Sequence, residues 1–287
     1  MDLEYLRAHP DKLPMFIEHQ RIRSTPVGGG SISVTQRLTL DDGTDVFAKF
    51  NEDGPPGLLE AETRGIAWLA EAGAPVPHVL CATAEVLVSD WIDPGAPGVV
   101  AAEELGRRLA ELHRFGTKTF GAPWPGFIGR LPLDNEVAER SWSGWFASRR
   151  LLPYLRDSRD NGSLSAADVA AVEAVITRIE ELAPPAEPVA RLHGDLWPGN
   201  IHWGRDRAWL VDPAAHGGHR ETDIALLHLW GGAPHLDRIV AAYHEMWPLP
   251  EGWRHRIPLH QLHLLLVHTA MFGSGYRDQV MDAVRQL

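Results

Sequence analysis

The chain changes character at residues 93–98, where two prolines and two glycines fall within six positions. Proline and glycine at this density interrupt helices and strands, so the segment is predicted to be a linker. The sequence before it has the patterns of strands and one helix, and the sequence after it is patterned mostly as helices. At 287 residues the chain is about twice the common domain size. We therefore predict two domains, residues 1–92 and residues 93–287.

Alternation of apolar and polar side chains predicts a strand at residues 31–40, with one face buried. Asp42-Gly43 follows, a pair typical of a tight β-hairpin turn, and residues 46–50 continue as a second strand. Residues 86–92 have the pattern of a further strand. The first domain is therefore predicted to contain an antiparallel sheet.

A helix is predicted at residues 58–72, because apolar residues recur at helical spacing and glycine and proline bound the segment. Glu62 falls in the middle of its apolar face. A carboxylate in that position is costly unless it is paired, and Lys49 is the nearest candidate partner in sequence. The alternative is that Glu62 lies at the frayed edge of the apolar stripe.

Three helical stretches are predicted after the linker. The first contains Leu105, Leu109 and Leu112. The second begins at a capping box in which Asp168 is the third residue after Ser165, and it continues until Pro184-Pro185. The third covers about residues 259–272. The fold class is therefore α+β, with strands in the first domain and helices in the second.

The composition excludes several classes of function. The chain has 27 basic and 38 acidic residues, and it contains no basic run that could form a nucleic-acid footprint. No apolar run approaches the ~20 residues that span a bilayer. The single cysteine, Cys81, excludes an intrachain disulfide and a Cys-based zinc site. With no signal-peptide pattern at the N-terminus, we expect a cytoplasmic protein without nucleic-acid or membrane partners.

The strongest chemical signal is the spacing of three residues with oxygen-bearing side chains. Asn200 follows Asp195 after four residues, and Asp212 comes twelve positions later, after an apolar run. Carboxylate and amide oxygens suit a Mg²⁺ ion and a substrate hydroxyl. In phosphoryl transfer one Asp accepts the hydroxyl proton, while an Asn and a second Asp hold the metal. Asp195 fits the first role, and Asn200 and Asp212 fit the second.

Three earlier features precede these residues in the order that a phosphoryl-transfer site requires. Gly28, Gly29 and Gly30 would let backbone N–H groups approach phosphates closely. Lys49 can reach phosphate oxygens once Glu62 orients it. Each feature alone has an ordinary structural explanation, but the ordered set indicates a kinase that uses ATP and Mg²⁺.

The motifs resemble those of the fructosamine kinase family, also called ketosamine 3-kinases. The likeness covers most of the chain, and Trp197, directly after His-Gly-Asp-Leu, is more discriminating than the general kinase pattern. The segments that carry it are residues 193–200 (His-Gly-Asp-Leu-Trp-Pro-Gly-Asn), residues 212–214, residues 218–225, Phe127-Ile128-Gly129, Trp142, Trp145 and residues 149–151.

The resemblance implies a fold and an activity. The family has a bilobal protein-kinase-like fold, with an antiparallel-sheet N-terminal lobe and a mostly helical C-terminal lobe. Its members use ATP and Mg²⁺ to phosphorylate the sugar 3-hydroxyl of amines that carry a ketose. The adduct then falls apart, so the activity is a deglycation repair. The net charge of −11 would favour such an acceptor, because its nitrogen can be protonated.

The resemblance also implies roles for single residues. Asp195 would be the catalytic base, Asn200 and Asp212 the metal ligands, and Lys49 with Glu62 the pair that orients phosphates. The residues that would contact the nucleotide through the glycine-rich turn are Gly28, Gly29, Gly30 and Ser31, and those that would contact adenine are Asp90, Trp91 and Ile92.

One of these positions, Ser31, departs from the family, and a further residue, Asp223, has two interpretations. Ser31 stands where family members often have cysteine, which argues against redox control at that turn. Asp223 would tie down the catalytic loop, although an N-cap of a helix predicts nearly the same position. The remaining candidates, for the substrate pocket, are Trp197, His216, His219 and Arg220; for the last three, a loop held by its own hydrogen bonds is the alternative.

Alternative functions stay open on the sequence alone. The same fold could phosphorylate an aminoglycoside, choline or another amino sugar, although Trp197 argues against this. A nucleotide-binding pseudokinase is a further alternative, against which the intact set of charged residues speaks. The spacing of His260, His263 and His268 does not match that of a metal site. The preferred sugar and amine and the oligomeric state are left open.

Overall fold

The computed structural model describes residues 8–9, 12, 23–26, 34–40, 42–137 and 141–287, with only the backbone at residues 23–26. The glycine-rich turn falls outside these ranges. The predicted contacts of Gly28, Gly29, Gly30 and Ser31 with the nucleotide therefore stay predictions.

A five-stranded antiparallel sheet forms the N-terminal part of the structure. Gly43 lies at the predicted hairpin turn, where its N–H donates to the Leu40 carbonyl over 2.9 Å and its φ is 83°. Glycine adopts this left-handed conformation without strain. The strands follow the order β1 (Arg23–Pro26), β2 (Val34–Thr39), β3 (Asp45–Phe50), β5 (Val86–Asp90), β4 (Val79–Ala82).

Helix α1 (Leu58–Glu71) confirms the predicted helix and packs against β4 and β5. Its buried residues include Leu59, Ile66 and Leu69, which belong to an apolar cluster shared with helices of the C-terminal part. The helix is therefore fixed to both parts of the molecule. The boundary predicted at residue 92 falls just after β5, and the division into two domains stays a prediction.

The C-terminal part is mostly helical. Helix α2 (Val99–Phe115) contains the predicted leucines and packs closely on α8 (Leu236–Met246). The approach is close because Gly106 has no side chain: a Cβ atom there would lie 2.2 Å from the Ile239 carbonyl oxygen. A π-helical turn (Ala147–Leu151) connects α3 (Trp142–Phe146) to α4 (Leu152–Asp160). The other helices are α3 (Trp142–Phe146), α4 (Leu152–Asp160), α5 (Ala166–Thr177), α6 (Ile179–Leu182), α7 (Glu221–Leu226), α8 (Leu236–Met246), α9 (Trp253–Phe272) and α10 (Arg277–Arg285).

Short antiparallel ribbons among these helices carry the loops of the candidate site. The linker is held to one of them, because the Gly95 N–H donates to the Trp203 carbonyl over 2.7 Å. The ribbons pair β6 (Gly126–Ile128) with β7 (Leu131–Leu133), β8 (Ala190–Leu192) with β11 (His216–Gly218), and β9 (Ile201–Trp203) with β10 (Ala208–Leu210).

Element ends differ from the predictions in three places. The strand expected at residues 86–92 ends at Asp90. The capping box at Ser165 is confirmed, but the helix that it starts is interrupted at Arg178, whose ψ of 11° departs from helical geometry. The helix expected from about residue 259 already begins at Trp253, after Gly252 in a left-handed conformation. None of the helices that the model describes is long and apolar enough to cross a membrane.

A buried ion pair joins α7 to α9. The Glu221 carboxylate is 2% exposed and accepts two hydrogen bonds from the Arg256 guanidinium, over 2.8 and 2.7 Å. Burial works against the charge of Glu221, but the hydrogen bonds from Arg256 and the nearby His260 ring outweigh it and lower the pKa of Glu221 to about 2. The ionised carboxylate therefore stabilises the folded state.

We expect this pair to make the stability of the protein depend on acid pH. A carboxylate whose pKa is lowered by folding stabilises the protein above its unfolded pKa, and this contribution is lost as the pH falls towards the folded value. For Glu221 the contribution is about 3 kcal/mol at neutral pH, of which about 2 kcal/mol is lost by pH 3. Urea unfolding at pH 7 and pH 3 should show a smaller pH effect in Glu221→Gln than in the wild type or in the exposed control Glu173→Gln. Parallel pH profiles for all three proteins would contradict this assignment.

Candidate active site

A cleft between α1 and the loops of the C-terminal part brings together five of the predicted residues. Lys49 comes from β3 and Glu62 from α1, while Asp195, Asn200 and Asp212 come from loops beside β8, β9 and β10. Trp197 also lines the cleft. The charged residues of the lining are three carboxylates and one ammonium group, so this surface has the negative balance that would favour a protonatable acceptor.

Lys49 forms the pair predicted from the helix pattern, and it forms a second one. Its Nζ lies 2.7 Å from Glu62 Oε2 and 2.8 Å from Asp212 Oδ1. The side chains of Lys49 and Glu62 are 11% and 10% exposed, whereas that of Asp212 is 46% exposed. Burial works against the charge of Lys49, but the two carboxylates outweigh it and raise the pKa of the ammonium group. Lys49 is therefore a fixed positive charge in the cleft.

Asp195 and Asn200 are joined by hydrogen bonds. Asn200 Nδ2 donates to the Asp195 backbone carbonyl over 2.7 Å and to its Oδ2 over 3.0 Å. The other oxygen, Asp195 Oδ1, has no hydrogen-bond partner among the described residues. Burial raises the pKa of Asp195 well above its ordinary value. One carboxylate oxygen is thus available to accept a proton, and the Asn200 amide oxygen is turned away from Asp195.

Asp212 has an unusual backbone conformation, with a φ of 54°. Asp tolerates the left-handed region better than most residues, but the conformation still costs free energy. The preceding residue, Val211, holds the segment in place: its N–H donates to the Asn200 carbonyl over 3.1 Å, and its carbonyl lies 3.0 Å from His193 Nε2. The bend leaves the Asp212 carboxylate exposed in the cleft beside Lys49.

Asp223 ties down the loop that carries Asp195. Its two oxygens accept the backbone N–H groups of His193 and Gly194, over 2.8 and 2.9 Å. His113 Nε2 lies 3.1 Å from the same carboxylate, which is fully buried. Asp223 lies within α7, whose N-cap is Arg220, so its carboxylate supports the loop and does not cap the helix.

Asp90, Trp91 and Ile92 lie at the end of β5, beside a second cavity that Trp209 also lines. The Ile92 carbonyl is 3.0 Å from His202 Nε2. The three residues therefore lie where β5 leads into the linker, and their contact with adenine stays a prediction.

Three of the candidates for the substrate pocket lie behind the cleft. His216, His219 and Arg220 are at most 4% exposed and are not among the residues that line the cleft. The pairing of β11 with β8 turns this segment inwards. Burial lowers the pKa of both histidines to about 3. The contacts of these three residues match the alternative of a loop held by its own hydrogen bonds. His216 contacts the Ala214 carbonyl, His219 the Pro185 carbonyl, and Arg220 the Glu187 carboxylate.

The end of α9 supplies part of the cleft wall, which its sequence pattern did not identify. The ring centroid of His268 lies 4.6 Å from that of Trp230, which lies 5.1 Å from that of Trp197. Apolar residues at helical spacing predict a buried face, and nothing local distinguishes a cleft wall from a core. The residues of α9 that line the cleft and were not predicted are Leu264, Val267, His268, Met271 and Phe272. Asn135, which follows β7, also lines the cleft and was not predicted.

One group of potential metal ligands, His219, Glu221 and His260, lies away from the cleft in the part of the chain that the structure describes. The Glu221 oxygens both accept hydrogen bonds from Arg256, and the Glu221 N–H donates to His219 Nδ1. His219 Nε2 faces the Pro185 carbonyl. These contacts use the donor atoms of His219 and Glu221 within the protein, so we assign no metal to this group.

A lysine on a sheet, a glutamate on the adjoining helix, and Asp, Asn and Asp on loops define a phosphotransferase with the protein-kinase-like fold. A model of the family described as fructosamine kinase matches residues 15–287, and the chain belongs to this family.

Individual relatives agree with this membership. The Thermus thermophilus protein named "Probable ketoamine kinase TTHA1179" is 36% identical over 90% of this chain and 92% of its own length. The protein-ribulosamine 3-kinase of Arabidopsis thaliana is 32% identical over 90% of this chain and 80% of its own. The crystal structure of a Thermobifida fusca protein described as a candidate fructosamine-3-kinase is 45% identical, with a TM-score of 0.87 over 93% of this chain and 94% of that one.

We expect Asp223→Asn to loosen the loop that carries Asp195. An amide presents only one acceptor oxygen, so one of the two buried N–H groups loses its partner, which costs about 1–3 kcal/mol. Hydrogen exchange followed by NMR should show faster exchange at the His193 and Gly194 amides, and urea unfolding should show lower stability. The exposed control Asp237→Asn should change neither. Wild-type exchange at both amides in Asp223→Asn would contradict the role.

Proposed function

We propose that the protein is an ATP-dependent kinase that phosphorylates the 3-hydroxyl of the sugar in ketosamines, that is, fructosamines or ribulosamines. The observation that carries the proposal is Asp195 Oδ1, which has no hydrogen-bond partner in the described part of the chain and lies in the same cleft as the Lys49–Asp212 pair. Membership of the fructosamine kinase family and the names of the relatives support the choice of acceptor. Bacterial relatives such as the Thermus thermophilus protein support a cytoplasmic location.

The chemistry of the donor atoms fits a Mg²⁺ ion. The Asp212 carboxylate is exposed in the cleft, and the hydrogen bonds of Asn200 Nδ2 to Asp195 leave the amide oxygen free to bind a cation. Asn200 and Asp212 would hold the ion, and a bound Mg²⁺ ion would neutralise the negative charge of the phosphates. Lys49 would contact phosphate oxygens from the sheet side, with Glu62 holding it in position.

The proposed transfer needs one proton acceptor. The acceptor hydroxyl gives its proton to Asp195 Oδ1 as its oxygen forms a bond to the γ-phosphorus of ATP. The bond from that phosphorus to the bridging oxygen breaks, and ADP leaves with the electron pair. Asp195 is suited to this task, because its raised pKa makes the carboxylate a stronger base than an exposed one. The bonds from Asn200 fix the orientation of the carboxylate.

ADP formation with a panel of acceptors tests the proposal. We expect turnover of fructosamines or ribulosamines and none of aminoglycosides or choline. Asp195→Asn should lose at least about 100-fold in kcat, because general-base catalysis contributes about 10²–10⁴, while its affinity for ATP stays close to that of the wild type. The exposed control Asp278→Asn should keep wild-type activity.

The other outcomes of this panel are equally informative. Turnover of aminoglycosides or choline alone would replace the ketosamine proposal with another small hydroxyl acceptor. ATP binding without turnover of any acceptor would favour a pseudokinase. An Asp195→Asn variant as active as the wild type would remove Asp195 from the role of base.

A further inference from the structure

Asn135 lines the cleft with a hydrogen-bond donor that has no partner among the residues that the structure describes. The residue follows β7, is 5% exposed, and shares the cleft wall with Ile128, Asp195 and Trp197. Its side-chain Nδ2 is buried and has no hydrogen-bond partner among the described residues. A buried donor that gives up water without a replacement is costly, and buried polar groups are almost always paired. An unpaired donor on a cleft wall is therefore a candidate ligand contact.

The orientation of the Asn135 amide is fixed by Arg150. The Nη2 of Arg150 donates to Asn135 Oδ1 over 2.9 Å, and a guanidinium group can only donate. The opposite orientation of the amide would place two donors against each other, so Nδ2 is the atom left without a partner. The bond to a cation also polarises the amide and makes Nδ2–H a stronger donor.

Arg150 is itself held rigidly. It is fully buried, its guanidinium lies 4.3 Å from the centroid of the Trp145 ring, and its Nη1 donates to the Asp134 carbonyl over 2.6 Å. The atoms that accept hydrogen bonds from Arg150 are carbonyl and amide oxygens, and no carboxylate among the described residues forms an ion pair with it. Asp134 attracts its charge and Arg149 repels it only at longer range. A cationic group would be disfavoured beside Asn135, and a neutral oxygen would be favoured.

Gly126 makes room for the amide. A Cβ atom at this position would lie 2.4 Å from Asn135 Nδ2 and 3.0 Å from Asn135 Cγ. Any other residue would push the amide out of its place beside the β6–β7 ribbon. The side chain is thus placed by a glycine on one side and by Arg150 on the other, which is the arrangement of a preorganised contact.

We propose that Asn135 binds the sugar end of the acceptor, with Nδ2 donating to a hydroxyl or carbonyl oxygen that does not react. The inference rests on the proposed function, since it concerns the acceptor of that reaction. The Lys49–Asp212 pair serves the phosphate side, whereas Asn135 belongs to the C-terminal loops around Asp195 and Trp197. The positive charge of Arg150 directs the protonatable nitrogen of a ketoamine away from Asn135, so the sugar end is the end that it contacts.

Steady-state kinetics of Asn135→Asp test the contact. The aspartate keeps an acceptor oxygen for Arg150, so the fold has its buried pair, but the N–H donor is lost. We expect the acceptor KM to rise about tenfold or more, with the KM for ATP unchanged. The control is Gln286→Glu, the same change of an amide to a carboxylate at an exposed position just after α10, which should leave both constants unchanged. A rise in the KM for ATP alone would assign the donor to a phosphate oxygen and overturn the proposal.

Acceptors that each lack one non-reacting sugar oxygen identify the contact directly. The wild type should discriminate about tenfold against one of these deoxy analogues, and Asn135→Asp should not discriminate against that analogue. Equal discrimination by both proteins for every analogue would overturn the proposal.

The proposal can fail or survive separately from the proposed function. If the wild type phosphorylates no ketoamine, the proposed function fails. The side-chain ¹⁵N amide signal of Asn135, identified by its loss in Asn135→Asp, is then followed while a ketoamine is added with ADP and Mg²⁺. A shift of this signal would support acceptor binding without turnover, and an unchanged signal would overturn the contact.

Discussion

The structure depends on one buried ammonium group, that of Lys49, which is shared by carboxylates from two other elements. β3 supplies the lysine, α1 supplies Glu62, and the loop after β10 supplies Asp212. Removing either partner of a largely buried pair leaves an uncompensated charge, so the three elements are energetically linked. This link places Lys49, the proposed phosphate contact on the sheet, beside the residues that would hold the metal.

Helix α1 reaches this position through packing on the C-terminal part. Gly65 lets the helix approach the loop after Asp212 so closely that a Cβ atom would lie 3.2 Å from Ala215 Cβ. Arg191, which precedes the loop that carries Asp195, lies between the rings of Trp68 and Phe115, with centroids at 4.1 and 4.5 Å. It also donates to the Trp68 carbonyl. Glu62 is therefore held against Lys49 by contacts that need no nucleotide.

Sequence reasoning succeeded where one residue carries both a local pattern and a chemical requirement. Glu62 on an apolar helix face needed a cation, and Lys49 meets that need; Ser165 and Asp168 form the capping box that their spacing predicts. It left two interpretations open, or gave no signal, where a role depends on which surfaces meet. His216 and Arg220 are buried and hydrogen-bonded within the protein, which matches the alternative of a loop held by its own hydrogen bonds. Asn135 is placed in the cleft by Arg150 and Gly126, which no local pattern predicts. The spacing of apolar residues along the sequence predicts which side chains are buried, but it does not predict what a buried side chain contacts.

The central claim is that Lys49 and Asp212 act as one unit that binds the phosphates of ATP together with Mg²⁺. A double-mutant cycle with Lys49→Met and Asp212→Asn, read out as the Kd of ATP in the presence and absence of Mg²⁺, tests it most directly. We expect each single variant to weaken the Mg²⁺-dependent binding of ATP. The double variant should bind ATP no more weakly than the worse single variant, which corresponds to a coupling of about 1 kcal/mol or more. Additive effects of the two substitutions, or binding that does not respond to Mg²⁺ in the wild type, would contradict it.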